Sequence, residues 1–209
     1  MANLTRYYIH SKLPHGFWGR RVLKVMNGKQ HKALPEWVFA ELQMKDDARV
    51  LDVGCGGGAN IARMLERCPN GVITGQDRSQ LALDMTHELN YRAVVDKKCF
   101  IIGGNVNQLP CAKERFDVVT AFETTYFWHL LDEGLEEIYR VLKPGGMCVI
   151  ANELDGLDPK HKKLEREASI LVYTVEEISE ALQKTGFTDI NARHDEARHF
   201  ICVTAHKPE

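Results

Sequence analysis

No stretch of the 209 residues approaches the roughly 20 consecutive apolar positions that a membrane span requires. The opening residues, MANLTRYYIHSKLPHG, also lack the apolar centre of a secretory signal, so neither membrane insertion nor export is expected and the cytoplasm is the predicted location. No two of the six cysteines (55, 68, 99, 111, 148 and 202) form a C-x-x-C pair. This argues against a zinc knuckle or a disulfide framework and leaves them as small buried hydrophobes. Internal repeats and low-complexity tracts are missing too. The first 35 residues hold no acid at all: Arg6, Lys12, Arg20, Arg21, Lys24, Lys29 and Lys32 give them +7, which against a net charge of −2 leaves −9 on the rest. Such asymmetry points to docking on an acidic body or to an anionic partner. Seven cations spread this thinly are a weak basis for nucleic acid, which asks for a basic face.

What is present is a globular composition, 44% hydrophobic and 27% charged, in a length that suits one domain with a full core. The organising stretch is VLDVGCGGGANIARML, residues 50–65. An apolar run ends in Asp52, glycines follow at 54, 56, 57 and 58, and apolar positions at Ile61, Met64 and Leu65 fit a helix. A strand, a glycine turn and a helix carry a ligand against bare backbone, with unpaired helical N–H groups aimed at it. Gly54, Gly56 and Ala59 also satisfy the G-x-G-x-x-A dinucleotide fingerprint. Asp52 argues against that reading, because a carboxylate closing the strand repels a pyrophosphate and suits the ammonium of an amino-acid tail.

The pattern D-x-G-x-G-x-G over 52–58 resembles motif I of the class I S-adenosylmethionine (SAM) dependent methyltransferases, of the small-molecule, methyltransferase type 11/25-like kind. L-K-P-G-G at 142–146, before another strand, also resembles this family. The resemblance runs from residue 48 to 206. It implies an α/β fold of Rossmann-like, doubly wound type: seven strands in the order 3-2-1-4-5-7-6, with strand 7 antiparallel. Residues 46–209 then form the SAM-binding domain and residues 1–45 a helical lid that selects the substrate. The implied activity is methyl transfer from SAM, leaving S-adenosylhomocysteine (SAH), to a small-molecule acceptor, with an anionic acceptor suggested by the basic lid. A methyltransferase acting on RNA or protein is the alternative, disfavoured because the fourth strand lacks an N/D-P-P-Y tip. An NAD(P)-dependent oxidoreductase is a third, disfavoured by Asp52 and by the lack of room for a substrate domain.

The implied cofactor residues are Asp52, Gly54, Cys55, Gly56 and Gly58 at the turn, Asp77 with Arg78 at the tip of the second strand, and Asn105 with Val106 after the third. Asp77 would accept both ribose hydroxyls, and Asn105 stands where the family usually has an aspartate facing the adenine amine. Glu123 ends the fourth strand, FDVVTAFE, beside the switch in strand order, and is the first candidate for a general base, ahead of His129, His10 and His15. Trp18, Tyr126 and Trp128 are the aromatic candidates for the substrate wall, Tyr7 and Tyr8 are further candidates for aromatic faces near the sulfonium, and Phe127 is expected beside Tyr126 and Trp128. Glu123, Asn152 and Glu153 share adjacent strand tips as magnesium ligands do in catechol O-methyltransferase, but residue types and offset differ and no metal is expected.

Helices are predicted over 16–27, closed by Gly28, and from Pro35 through Met44. One more is predicted over 79–95 capped by Ser79, one after a cap at Asp132, and one opened by a Thr174–Glu177 capping box and stopped by Gly186. Residues 155–170 are expected to be partly helical. The last two strands are predicted to turn at Glu196-Ala197.

Overall fold

A computed structural model of the chain describes residues 2–28 and 31–209; Lys29, one of the seven N-terminal cations, lies outside them. The apolar runs form β1 (Arg49–Val53), β2 (Val72–Asp77), β3 (Cys99–Gly103), β4 (Phe116–Phe122), β5 (Leu142–Asn152), β6 (Thr188–Asp195) and β7 (Phe200–His206). They make one sheet in the order β3-β2-β1-β4-β5-β7-β6. β7 runs antiparallel to both β5 and β6, and the other pairings are parallel, as the resemblance implies.

Alternate residues feed two cores, because successive side chains leave a strand on opposite faces. Val50, Val118, Val149 and Cys202 pack with Leu34, Val38, Ile61 and Met64 of α3 (Ala33–Phe39) and α4 (Ala59–Arg67). On the other face, Leu51, Val119, Ile150 and Val203 meet Leu135, Ile138, Ile178 and Leu182 of α7 (Leu131–Val141) and α9 (Val175–Thr185). Strands sandwiched between helical layers in this way read as continuous apolar runs. Among the described residues no helix is long and apolar enough to cross a membrane.

Local chemistry sets most element ends. The Ser79 hydroxyl accepts from the Ala82 N–H to open α5 (Gln80–Leu89), and Gly186 closes α9 in the left-handed region. Thr174 and Glu177 form a reciprocal capping box at the start of α9. Thr174→Ala should therefore cost about 0.5–2 kcal/mol in chemical denaturation, with the fold unchanged.

Other boundaries differ from the sequence expectation. The helix over 79–95 breaks at Asn90 into α5 and α6 (Tyr91–Val95), since the Asn90 amide is spent on the Gly58 and Thr86 carbonyls. α3 stops at Phe39 rather than running to Met44. Leu130, not Asp132, occupies the cap of α7 and makes no side-chain bond; Asp132 lies in the first turn and pairs with Lys184. The final hairpin turns through four residues, 196–199, with Asp195 opposite Phe200. An additional helix, α1 (Ala2–Lys12), precedes the expected α2 (Gly16–Met26), and α8 covers Pro159–Ala168. α1 carries no clear apolar stripe, because Tyr8 is buried while Leu4, one turn before it, and Ile9 are exposed.

β1 and β4 are neighbours with Asp52 opposite Thr120, and the chain leaves them for opposite faces of the sheet. A crevice opens beyond their carboxyl ends, where doubly wound sheets hold ligands.

Candidate active site

Two joined cavities fill that crevice. The larger, about 280 Å³, is bordered by Asp77, Arg78, Asn105, Val106 and Trp128, and the smaller, about 60 Å³, by Asp52, Cys55, Gly57, Ala59, Asn60 and Glu153. Gly54, Gly56, Met26, Phe122 and Glu123 border both.

Between β1 and α4 the turn is pinned to the neighbouring strand. The N–H groups of Gly54 and Cys55 both donate to the Gln76 carbonyl, at 2.8 and 2.9 Å. Gly54 has φ +71°, and a Cβ there would stand 2.2 Å from Thr124 Oγ1, so only glycine fits. Gly58 is the left-handed N-cap of α4 and supplies no side-chain cap. The helix therefore presents its first turn, at Ala59 and Asn60, to the smaller cavity. Gly58 itself borders neither cavity, since a Cβ there would point at Thr86 and Asn90 of the α5 side. The Cys55 side chain joins the core under the turn, with Sγ 3.6 Å from Thr86 Oγ1.

Two carboxylates flank the turn. Asp52 is 2% exposed and its Oδ1 accepts from Thr120 Oγ1 at 2.7 Å. Burial pushes its carboxyl up to about 7 against the pull of the Thr120 bond, with Asp77 adding a further push. Asp77 Oδ2 accepts from the Gly56 N–H at 3.0 Å and Oδ1 from the Ser79 N–H at 2.8 Å. Burial raises its carboxyl too, opposed by those bonds.

Glu123 stands where the two cavities meet, with φ +58°, a strained conformation for a side chain other than glycine. Its Oε1 accepts from Tyr126 Oη at 3.0 Å and from the Glu153 N–H. Burial, then the charge of Glu153, holds its carboxyl well above the ordinary range. Tyr126 is fully buried behind it, and its oxygen accepts in turn from the Leu154 N–H at 2.9 Å. Of the other aromatic candidates, Trp128 borders the larger cavity, where its Nε1 donates to Thr124 Oγ1 at 3.3 Å. Trp18 borders neither: it stays 47% exposed under the Arg6 guanidinium, 4.4 Å from the ring centroid.

Of the histidines, His129 borders the larger cavity, whereas His10 stacks on Trp18 and His15 sits at the start of α2. Asn152 does not converge with Glu123 and Glu153, because its amide is engaged with Thr125 Oγ1.

The N-terminal segment supplies walls of which the sequence singles out for the site only the aromatic Tyr7. Ser11, Lys12, Pro14 and Leu23 close the larger cavity, and Tyr7, Asn27, His31 and Leu34 the smaller. Asn27 Nδ2 donates to the Gly57 carbonyl at 2.8 Å. Ser79 Oγ donates to the Pro14 carbonyl at 2.6 Å, and Arg78 to that of Lys12 at 2.5 Å. His31 lies between Tyr7 Oη, 3.3 Å from its Nε2, and Glu153, 3.7 Å from its Nδ1.

Comparison with known proteins decides the family. The model of a methyltransferase domain matches residues 51–150. The cycloartenol-C-24-methyltransferase of Arabidopsis thaliana is 34% identical over 170 residues, 76% of this chain and 49% of that protein. The chain belongs to the class I SAM-dependent methyltransferases. It spans about half the length of that plant relative. An uncharacterized methyltransferase of Bacillus subtilis, YdaC, is 27% identical over 86% of this chain and 94% of its own. The fold matches a SAM dependent methyltransferase of Aquifex aeolicus with a TM-score of 0.75 over 88% of this chain and 96% of that one, at 21% identity.

The crevice fits such a cofactor on its own geometry. An uncapped helix start, a side-chain-free turn and carboxylates at either end match, in order, a carboxylate, a close-packed backbone contact, and ammonium and hydroxyl donors.

Proposed function

We propose that the protein transfers the methyl group of SAM to a small-molecule acceptor that enters over Tyr7, His31 and Glu153. The observation that carries this is the pair Asp52 and Asp77 on either side of an uncapped glycine turn. Asp52 and the first turn of α4 would hold the amino-acid tail, Asp77 the ribose, and Asn105 with Val106 the adenine. Bound there, SAM supplies an electrophilic methyl group on a sulfonium. Holding the acceptor in line with it accounts for about 7–11 kcal/mol of barrier lowering in reactions of this kind.

The acceptor side is acidic. Glu123 and Glu153 face it, and Tyr7 presents its ring. A neutral acceptor that gains a methyl group becomes cationic, and carboxylates and aromatic faces favour that charge. An anionic group would be repelled, so the acceptor is better assigned as neutral or cationic than as anionic, despite the basic lid. Glu123 Oε1 is occupied by two hydrogen bonds, which supports Oε2 as the atom that would receive the acceptor's proton. The plant relative is named as a cycloartenol-C-24-methyltransferase, and methylation at carbon is consistent with a neutral acceptor.

Calorimetric titration with SAH tests the cofactor assignment, and SAH release across a library of neutral and amine acceptors tests the reaction. One equivalent of SAH bound, with no heat from NADH, is the expected result. No SAH binding at millimolar ligand, or NADH binding in its place, overturns the reading.

A further inference from the structure

Away from the crevice, one carboxylate gathers three histidines drawn from separate elements. Asp155 follows β5, His161 lies on α8, His194 on β6, and His199 in the hairpin loop before β7. Asp155 Oδ2 is 3.1 Å from His194 Nε2 and 2.9 Å from His199 Nδ1. Its Oδ1 accepts from the Leu157 N–H at 2.9 Å and lies 3.2 Å from His161 Nδ1.

Three features mark this as more than a hydrogen-bonded strap. The ligating atoms of Asp155, His161 and His199 all lie within 4.8 Å of one another. Tetrahedral zinc bonds of about 2.0–2.1 Å place ligand atoms about 3.4 Å apart, so small shifts suffice. His161 Nδ1 is buried and makes no hydrogen bond despite its nearness to Asp155, in a side chain only 9% exposed. Asp155 approaches this buried imidazole nitrogen without forming a well-aligned hydrogen bond, and a buried polar atom met so poorly is costly unless something else meets it. Finally, His199 is 41% exposed and gives a solvent path to a site whose carboxylate is buried.

We propose that Asp155, His161 and His199 bind one divalent first-row transition ion of the zinc type, with His194 as a fourth or supporting ligand. Imidazole and carboxylate donors select this class over calcium or magnesium, which take oxygen ligands. The proposal departs from the expectation that the chain needs no metal, and it does not depend on the methyltransferase reading. It concerns a different place from the strand tips of Glu123 and Glu153. An ion here would fasten α8 and the loop after β5 to the hairpin at the sheet edge. Leu154, next to Asp155, donates its N–H to Tyr126, so the ion would stiffen the wall behind Glu123 without touching the reaction.

The test is titration of the tag-free, chelator-treated full chain with CoCl₂, read by visible ligand-field absorption. Saturation at one equivalent is expected, displaced by ZnCl₂, with a raised Tm. His199→Gln, at the most exposed ligand, should keep the fold and weaken binding by about 10–100-fold or more, whereas His87→Gln on α5 should bind as wild type. Asp155→Asn should behave like His199→Gln if its circular dichroism is native. No saturable absorption in the folded wild type, or His199→Gln affinity within three-fold of wild type, overturns the proposal and leaves a hydrogen-bonded strap only.

Discussion

Asp77→Ala should weaken SAH binding by about 100–1,000-fold in calorimetric titration, with native circular dichroism. Two hydrogen bonds from ribose hydroxyls to a carboxylate contribute about 1.5–2 kcal/mol each, and 1.4 kcal/mol is a factor of ten. The residue acts twice over: the same carboxylate accepts the N–H of Gly56, whose backbone borders both cavities, and the N–H of Ser79 before α5. Its loss would free the turn as well as remove the proposed ribose contact. Asp77→Asn retains one acceptor oxygen and should fall between, near ten-fold. The folded core does not rely on Asp77, which sits at the tip of β2 rather than among the packed residues of either layer. A loss under three-fold in Asp77→Ala would place the ribose elsewhere and remove the argument from the strand-tip carboxylates.

How far such a site is legible in advance depends on the reach of the chemistry that builds it. Asp52, the glycines, Ser79, the Thr174–Glu177 box and Gly186 act over one to four residues, so their spacing reveals strand, turn and helix end directly. The sheet order comes with the family resemblance that Asp52, the glycines and L-K-P-G-G carry, and the short final turn requires the antiparallel last strand. The N-terminal segment is another matter. Asn27 meets Gly57, and Pro14 meets Ser79, across 30 and 65 residues, by bonds to backbone carbonyls that no side-chain pattern records. Trp18 looks like a substrate aromatic from composition alone, yet Arg6 covers it at the surface. Gly58 belongs to the motif but serves the packing of α4 on α5, where any Cβ collides with Thr86 and Asn90. The Asp155 cluster is likewise invisible in sequence, since its histidines lie 6, 39 and 44 positions away on three elements.

Glu123→Gln should lower the rate of methyl transfer by about 100–10,000-fold, the range that general base catalysis supplies, while SAH affinity stays within three-fold. Glutamine keeps the shape: its Oε1 still accepts from Tyr126 and the Glu153 N–H, and only the proton-accepting oxygen is replaced. The pH dependence separates a base from a merely orienting group. Glu123 is held well above the ordinary carboxylate range by burial and by Glu153, so wild-type activity should rise with pH along a limb displaced upward, and the variant should lose that limb. Stability should move the opposite way. A carboxyl raised in the folded state binds more protons there than in the unfolded chain, so wild-type stability falls as pH rises from the unfolded pKa through the folded one. Glutamine mimics the neutral acid, and the variant should therefore melt higher than wild type at alkaline pH and alike near pH 4. A left-handed glutamate held in a partly buried, like-charged setting is a cost to folding that the proposed role in the reaction would explain. If Glu123→Gln loses less than ten-fold in rate and keeps the same pH profile, Glu123 positions the acceptor and the proton leaves by another route, with His129 at the larger cavity the next group to replace.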